Sequence, residues 1–210
     1  KKFEWQPQER QYQGIYGAMN QGFKQVKKGE WILFWGSDDW CFSKKTIANI
    51  INEVKTLSII NKIPDILIFR GNYLNLFNKK FIKKSLFITN KKNILINVAE
   101  FKNLVFKGLI PPHQSTLFSK DLIQKIGYFD QEYELAADLN YFLKICNLKK
   151  ANIFISKEVI VNIGYGGVSN RKNLKRTTEV IKSYRKFFKF FWIIPFLLRY
   201  IRRMINLLNL

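Results

Sequence analysis

The chain has 210 residues, of which 47% are hydrophobic, so it can bury a core and is not a disordered chain. Its 36 lysines and arginines against 15 acids give a net charge of +21, which favours anionic partners: phosphorylated substrates, acidic lipid or nucleic acid. Two cysteines and one histidine exclude a disulfide framework and a typical zinc site, and they indicate a reduced, cytosolic setting. No apolar run reaches the ~20 residues that a membrane span needs.

The first third of the chain alternates helical and strand patterns. Apolar residues recur at helical spacing over residues 15–26, and Gly29 follows as a stop signal. Residues 31–35 are a continuous apolar run, which predicts a strand buried on both faces and ending at an acidic turn. Ser43 is placed to cap a second helix. The predicted apolar face of that helix consists of Ile47, Ile50, Ile51, Val54 and Leu57.

The remaining elements continue the alternation. Residues 66–69 predict a second buried strand, and apolar segments on both sides of Asn78 predict a hairpin within residues 72–89. Ser119 and Gly127 are the cap and stop signals of a short helix. The other predicted elements are a helix over 94–106, a strand over 113–118, a helix over 135–148, a strand over 153–163, a loop with Gly164, Gly166 and Gly167, and a helical segment from about 174. This alternation predicts an α/β fold.

The first candidate site is the turn Gly36-Ser37-Asp38-Asp39, which follows the predicted strand at residues 31–35. Open α/β sheets bind ligands at the C-terminal ends of their strands. Two carboxylates there can hold Mg²⁺ or Mn²⁺, hard cations that also bridge to diphosphate oxygens. A solvated turn is the equal alternative, because Ser and Asp are common turn residues.

Two further candidates are Asp138 and His113. Asp138 follows two alanines near a helix start, and partial burial there would raise its pKa and suit it to general-base work. The residues alone favour the alternative, an acid stabilised by the helix N-terminus. His113, followed by Gln114, is a ligand, a substrate hydrogen-bonder or a structural histidine, and the residues alone favour the structural role.

The segment over residues 14–22, with glycines at positions 14, 17 and 22, allows close backbone approach or a tight helix start. It matches neither the GxGxxG fingerprint nor the phosphate-cradling GxxxxGK[ST] loop. Dinucleotide-binding and P-loop functions are therefore excluded.

Taken together, the segments resemble family 2 of the nucleotide-diphosphosugar glycosyltransferases, in order over residues 9–170. The segments that carry the resemblance are Gly14-Ile15-Tyr16-Gly17-Ala18-Met19-Asn20-Gln21-Gly22, Gly29-Glu30-Trp31, Ser37-Asp38-Asp39-Trp40, His113-Gln114, Gly127-Tyr128-Phe129-Asp130 and Asp138. The resemblance implies a GT-A fold, a Rossmann-like mixed sheet flanked by helices. It implies a catalytic domain over residues 1–170, whose first strands we expect before residue 1, and a basic helical tail over residues 171–210.

The resemblance also implies the chemistry. It implies an inverting transfer of a sugar from a nucleotide donor to an acceptor hydroxyl, as in polysaccharide or lipopolysaccharide biosynthesis. Asp138 corresponds to the catalytic base, and Asp38 and Asp39 to the metal and diphosphate motif with Mg²⁺ or Mn²⁺. Residues expected beside the donor are Gly14, Ile15, Tyr16, Asn20, Ser37 and Asp38, and those expected on the acceptor side are His113 and Gln114.

Three positions depart from the family pattern. Family members usually carry Asp where this chain has Tyr12 and Gly17, and often Asp or Asn where it has Gly36. A non-catalytic remnant of such an enzyme is therefore the alternative to an active transferase.

The tail contains eleven lysines and arginines but a single acid, Glu179, mixed with aromatic residues. This pattern suits a helix in an anionic membrane interface, so we expect a cytoplasmic protein peripheral to the inner face of the cell membrane, with a glycan or lipid-linked acceptor. The alternative is a helix packed on its own domain. A nucleic-acid-binding protein is a rival hypothesis, but no nucleic-acid motif is present, so no nucleic-acid partner is expected.

Overall fold

The structure is a computed structural model that describes residues 7–11, 13–59, 63–85, 87, 93–165 and 173–208. The helices are α1 Gly14–Gln25, α2 Thr46–Ile59, α3 Val98–Phe106, α4 Lys120–Ile126, α5 Ala137–Ile145, α6 Asn173–Phe188 and α7 Ile193–Leu208. The strands are β1 Trp31–Ile32, β2 Trp40–Cys41, β3 Ile66–Asn75, β4 Phe81–Lys84, β5 Ile94–Ile96, β6 Thr116–Ser119 and β7 Ile153–Tyr165. Two 3-10 turns are His113–Ser115 and Lys189–Phe191.

The strands form one mixed sheet. Its path runs β1-β6-β3-β7-β2, with β4 paired to β3 and β5 paired to β7. The two long strands, β3 and β7, lie parallel at the centre, and the other pairings are antiparallel. The hairpin predicted around Asn78 is confirmed as the β3–β4 pair up to residue 84.

The sheet is covered on both faces, and β3 shows this directly. Ile66 and Ile68 belong to a large core that also includes residues of α1, α3, α4, α5 and α6. Leu67 and Phe69 belong to a second core on the side of α2. Successive side chains of a strand point to opposite faces, so a strand between two cores reads as a continuous apolar run.

Local capping places two of the helices. The side chain of Asn97 accepts from the amide of Glu100, whose side chain in turn accepts from the amide of Asn97, so a capping box begins α3. The side chain of Ser119 accepts from the amide of Leu122 and begins α4, as predicted. Gly127 follows α4 with a φ of 83°, a backbone conformation that glycine adopts without strain.

Several predicted elements differ from the structure. Residues 94–106 are not one helix: residues 94–96 pair with β7, and the capping box prevents α3 from extending back into them. Only the first two residues of the run 31–35 form a strand, which is antiparallel and half-buried. The strand predicted at His113 begins instead with a 3-10 turn.

The predicted apolar face of α2 is also only partly buried. Ile50 and Leu57 are buried, but Ile47 and Ile51 are about half exposed. The loop prediction over residues 164–167 is wrong at Gly164, which belongs to β7, and Gly166 and Gly167 lie outside the described residues, as does Tyr12.

The basic tail is helical, as predicted, and its first helix packs into the domain. Val180 and Tyr184 of α6 are buried in the large core, and Trp192 and Phe196 pack against it at the start of α7. None of the helices in the described part of the chain combines the length and the apolarity needed to cross a membrane. That residues 1–170 form a catalytic domain separate from a tail over residues 171–210 stays a prediction.

Candidate active site

Asp138 lies in the first turn of α5, where the helix N-terminus favours a negative charge. Its Oδ1 accepts from the amide of Leu139 at 2.7 Å and from the hydroxyl of Tyr16 at 3.3 Å. Nδ1 of His113 lies 3.5 Å from its Oδ2. The Asp138 side chain is 28% exposed, so it is not closed off from solvent. Three sequence-predicted residues from three separate segments therefore meet at one carboxylate.

The surroundings keep Asp138 ionised. Burial raises its pKa, but the hydrogen bond and charge of His113, the charge of Arg199 and the amide of Leu139 together leave the pKa below its ordinary value. The expectation that burial would raise this pKa is therefore wrong, because the lowering influences outweigh burial. Burial, and to a smaller extent the charge of Asp138, raise the pKa of Tyr16. Its hydroxyl therefore stays a neutral hydrogen-bond donor.

The position of Asp138 depends on a residue of α6. The carboxylate of Glu179 accepts from three consecutive amides just before α5: Glu134 at 3.1 Å, Leu135 at 2.8 Å and Ala136 at 2.9 Å. Glu179 is 8% exposed, so these bonds are shielded from water. The one acid of the basic tail thus holds the backbone that leads to the candidate base.

The second acidic group is the turn at residues 36–39. Asp39 accepts through Oδ2 from the amide of Gly36 at 2.8 Å and through Oδ1 from the amide of Gly164 at 3.3 Å. Burial is the largest cause that raises the pKa of Asp39, and the charge of Asp38 raises it further. The hydrogen bonds from the two amides lower this pKa, but they do not cancel the rise. Gly164 lies so close that a Cβ there would be 2.6 Å from the carbonyl oxygen of Asp38. The end of β7 therefore holds the turn in place.

The two acidic groups are linked electrostatically. The charge of His113 lowers the pKa of Asp138 and that of Asp39. Tyr73 of β3 lies within electrostatic range of the same two carboxylates, and burial above all raises its pKa to about 12. Asp39 and Asp138 therefore lie near enough to each other to act on the same two side chains.

The acidic turn offers two carboxylates to a divalent cation, and phosphate oxygens of the substrate and water would fill the remaining coordination positions. The described residues contain no group of three or more His, Cys, Asp and Glu side chains arranged to hold a metal ion. Asp38 and Asp39 supply carboxylate oxygens, the donors that Mg²⁺ and Mn²⁺ prefer. Because Mg²⁺ is commonly bound by one or two carboxylates with phosphate oxygens and water, two aspartates suffice on the protein side.

Other predicted site residues have mixed surroundings. Asn20 is buried, and its amide both donates to the carbonyl and accepts from the amide of Phe129, so it joins α1 to the turn after α4. The carbonyl of Gln114 accepts from Nε1 of Trp35 at 2.8 Å. Gly14 begins α1 with a φ of 69°, while Ile15 and Ser37 are exposed. That these residues contact the sugar donor or the acceptor substrate stays a prediction.

Sequence reasoning did not identify Glu179, Tyr73 or Arg199 as parts of the site. Glu179 alone carried a signal, as the single acid in a basic segment. Tyr73 and Arg199 lie within an apolar hairpin and an amphipathic helix, where nothing in the local pattern separates them from their neighbours.

This chain is similar to solved structures in fold but not to curated proteins in sequence. Neither a protein-family model nor a curated protein sequence matches it. A crystal structure of S. aureus TarS, a glycosyltransferase, aligns over 81% of this chain with a TM-score of 0.55 and 17% identity. The structure of S. aureus TarS 1-349 in complex with UDP aligns over 80% with a TM-score of 0.51 and 19% identity.

The comparison establishes the fold class. The chain has a mixed α/β fold, with a curled mixed sheet flanked by helices, that is similar to glycosyltransferase structures, and this prediction is confirmed. The chain spans 27% of the first matching chain and 45% of the second.

Proposed function

We propose that this chain is the catalytic part of an inverting, family 2 glycosyltransferase that moves a sugar from a nucleoside diphosphate donor to an acceptor hydroxyl. The observation that carries the proposal is the ionised, partly exposed carboxylate of Asp138, held by Tyr16, His113 and Leu139, with His113 also acting on the acidic turn. The similarity to a structure in complex with UDP supports a nucleotide donor. The pathway we propose is cell-surface polysaccharide or lipopolysaccharide synthesis.

In the proposed reaction, Asp138 accepts the proton of the acceptor hydroxyl while that oxygen attacks the anomeric carbon. The bond from that carbon to the diphosphate oxygen breaks, and the nucleoside diphosphate leaves with the electron pair. Tyr16 and His113 orient the carboxylate, and the lowered pKa keeps it unprotonated at neutral pH. Holding donor and acceptor in line supplies the rest of the acceleration.

Asp38 and Asp39 would hold Mg²⁺ or Mn²⁺. When bound, the cation neutralises charge on the departing diphosphate. The amides of Gly36 and Gly164 fix the Asp39 carboxylate, so the turn is ordered before the donor arrives. Calorimetry with UDP should show weaker binding after chelation of divalent cations and in Asp39→Ala, and equal affinity in all cases would remove the metal role.

The decisive test replaces the base. A panel of nucleoside diphosphate sugars is offered with acceptors, and release of nucleoside diphosphate is measured. Asp138→Asn should slow transfer about 10²–10⁴-fold while UDP binding is retained. Asp121→Asn is the matched control, because Asp121 is an exposed acid in the first turn of α4. Transfer by Asp138→Asn at the wild-type rate would exclude this residue as the base and favour the remnant alternative.

We also propose that the protein is peripheral on the anionic, cytoplasmic face of the membrane, through the outer face of α7. This face and the turn before it expose a continuous set of large apolar side chains: Phe190, Phe191, Ile193, Ile194, Leu197, Ile201, Met204 and Ile205. Exposed cations precede it in the chain at Arg185, Lys186 and Lys189, and Arg185 lies 5.9 Å from the ring centre of Trp192, just before α7. Apolar side chains beside cations match the boundary between acyl chains and anionic headgroups. Lipid-linked acceptors would be reached from this position.

A further inference from the structure

The inner face of α7 lies against the candidate active site, and close backbone packing fixes it there. Gly108, just after α3, has a φ of 79°, and a Cβ on it would lie 2.5 Å from the backbone nitrogen of Arg199. Nε of Arg202 donates to the carbonyl of Lys107 at 2.7 Å. At Arg199 the backbone of α7 therefore packs directly against the backbone of Gly108, with no room for a side chain between them.

Arg199 is an arginine whose buried nitrogens lack ordinary hydrogen bonds in the described part of the chain. Its Nε and Nη1 are shielded from solvent, and among the described residues no hydrogen bond of ordinary length reaches them. The hydroxyl of Tyr184, itself buried without an ordinary hydrogen bond among the same residues, is the neighbouring group that interacts with the guanidinium. Its charge acts on Asp138, yet no ion pair between them is formed within 4 Å in the described part of the chain. A guanidinium has five donors in a planar fork, and leaving them buried without acceptors costs free energy.

More cations approach the same place. Arg203 lies one turn further along α7, and the charge of Arg199, followed by burial, lowers its pKa to about 10. The ammonium of Lys83 lies 5.7 Å from the ring centre of Tyr73 and 5.4 Å from that of Tyr165. Burial, then the charges of Arg203 and Arg176, lower the pKa of Lys83. Cations that repel each other in a partly buried space favour an anion among them.

We propose that Arg199 and Arg203 form a phosphate-binding site beside Asp138, with Lys83 at its edge. The proposal rests on the proposed function and names the chemistry of a substrate: a phosphate group bound within reach of the base. Arginine suits this role because its fork pairs with two phosphate oxygens at once. The phosphate has two sources, the diphosphate of the donor or a phosphate carried by the acceptor.

The experiment measures binding of inorganic phosphate and of UDP to the whole chain, by calorimetry and ³¹P NMR. We expect phosphate binding to weaken about tenfold or more in Arg199→Gln and in Arg203→Gln. Arg203 is the more peripheral residue, so its variant keeps the test valid if Arg199→Gln does not fold. Arg202→Gln is the matched control, because it removes one charge from the same helix at a residue that contacts Lys107 instead.

The UDP measurements distinguish the two sources. If the site takes the donor diphosphate, UDP competes with phosphate and both variants lose UDP affinity. If it takes an acceptor phosphate, UDP and phosphate bind together and UDP affinity is unchanged. Equal phosphate binding in wild type and both variants, an equal loss in Arg202→Gln, or no phosphate binding at ~10 mM, a concentration at which even affinities weaker than 1 mM register, overturns the proposal. Phosphate binding does not need transfer, so failure of the proposed function is seen separately in the Asp138→Asn assay.

Discussion

The start of α5 and the helix α7 both act on Asp138, and they differ in how their charged side chains are partnered. Before α5, Glu179 accepts from three amides, and Asp138 itself accepts from Tyr16 and Leu139. On α7, the buried nitrogens of Arg199 form no ion pair among the described residues. The outer face of the same helix exposes large apolar side chains.

This difference indicates what each region does. Buried hydrogen bonds that are complete stabilise the fold and hold a carboxylate in one orientation. A buried cation without an ion pair and an exposed apolar face cost free energy in the isolated chain, and both are expected where ligands or surfaces bind. We therefore expect substitutions near α5 to reduce stability, and those on α7 to reduce binding.

The largest expected effect is at Glu179. Glu179→Ala leaves the buried amides of Leu135 and Ala136, and the part-buried amide of Glu134, without their acceptor. An unsatisfied buried donor costs about 1–3 kcal/mol, so the free energy of unfolding should fall by at least about 3 kcal/mol. Urea unfolding followed by circular dichroism measures the loss.

Glu132→Ala is the control for this prediction. Glu132 also bonds α6, through Lys182 at 3.0 Å, but both side chains are more than half exposed. Exposed ion pairs contribute about 0–1 kcal/mol, so this variant should unfold near the wild-type midpoint. Equal destabilisation by the two variants would contradict the structural role of Glu179.

The second prediction tests how closely α7 packs. Gly108→Ala combines a positive φ with a Cβ 2.5 Å from the backbone of Arg199, so α7 must move. We expect a loss of roughly 2–5 kcal/mol, the sum of left-handed backbone strain and overpacking. Thermal unfolding and limited proteolysis within residues 193–208 measure it.

Gly29→Ala separates the two causes. Gly29 has a φ of 82°, but nothing lies within 4 Å of a Cβ placed on it. This control should lose only the backbone strain of about 1–2 kcal/mol. If both variants lost the same stability, α7 would not be held against Gly108.

The fold and the carboxylates were predictable from the sequence because their signals are local. The continuous apolar run of β3, the cap at Ser119 and the glycine after α4 each determine an element through residues close in the chain. The acidic turn was predicted from Asp38 and Asp39 after a strand over residues 31–35, but that strand ends at Ile32 and the turn directly precedes β2. Residues 94–96 were assigned to a helix because short apolar runs suit both structures, and only pairing with β7 decides between them.

The basic side of the site was not predictable, because it depends on contacts between distant segments. Arg199 comes near enough to influence the charge of Asp138 only after α7 packs on Gly108, 91 positions earlier in the chain (199 − 108). In the sequence, Arg199, Arg202 and Arg203 are equivalent basic residues of one amphipathic helix. The structure separates them, since Arg202 contacts the carbonyl of Lys107 and Arg199 lies toward the site.

The third prediction tests the outer face of α7. Leu197 and Ile201 are 51% and 48% exposed, so replacing both by Asn should leave thermal stability almost unchanged. Each loses part of the roughly 1.5–3 kcal/mol that burial of such a side chain contributes, so binding to vesicles containing phosphatidylglycerol should fall about tenfold or more. Flotation of the protein with vesicles measures binding, and it should also weaken with added salt.

The matched control lies on α2. Ile47 and Ile51 have the same spacing and similar exposure, 51% and 46%, but lie outside the basic tail. Replacing both by Asn should not change flotation. Equal flotation of the wild type and the α7 variant would remove the membrane proposal, and salt-sensitive binding of RNA without vesicle binding would favour the nucleic-acid rival.

The smallest expected effect concerns His113, because it is one of several groups that act on Asp138. Burial raises the pKa of Asp138, and His113 is the foremost of the groups that lower it. His113→Gln removes the imidazole whose hydrogen bond and charge favour the ionised carboxylate, so the pKa of Asp138 should rise. Transfer requires the ionised carboxylate, so the acidic limb of the rate profile should move to higher pH. A ¹³C NMR titration of the aspartate carboxyl carbons measures the pKa directly.

The pH dependence of stability independently checks the direction in which His113 shifts the pKa of Asp138. In the wild type, the folded-state pKa of Asp138 lies below the unfolded value of about 3.9, so its ionisation stabilises the folded chain above that pH. This contribution is lost as the pH falls through the folded-state pKa. The variant should therefore be less stable than the wild type near neutral pH, and the difference should shrink in acid. A stability difference independent of pH would mean that His113 supports α5 by packing and does not act on the charge of Asp138.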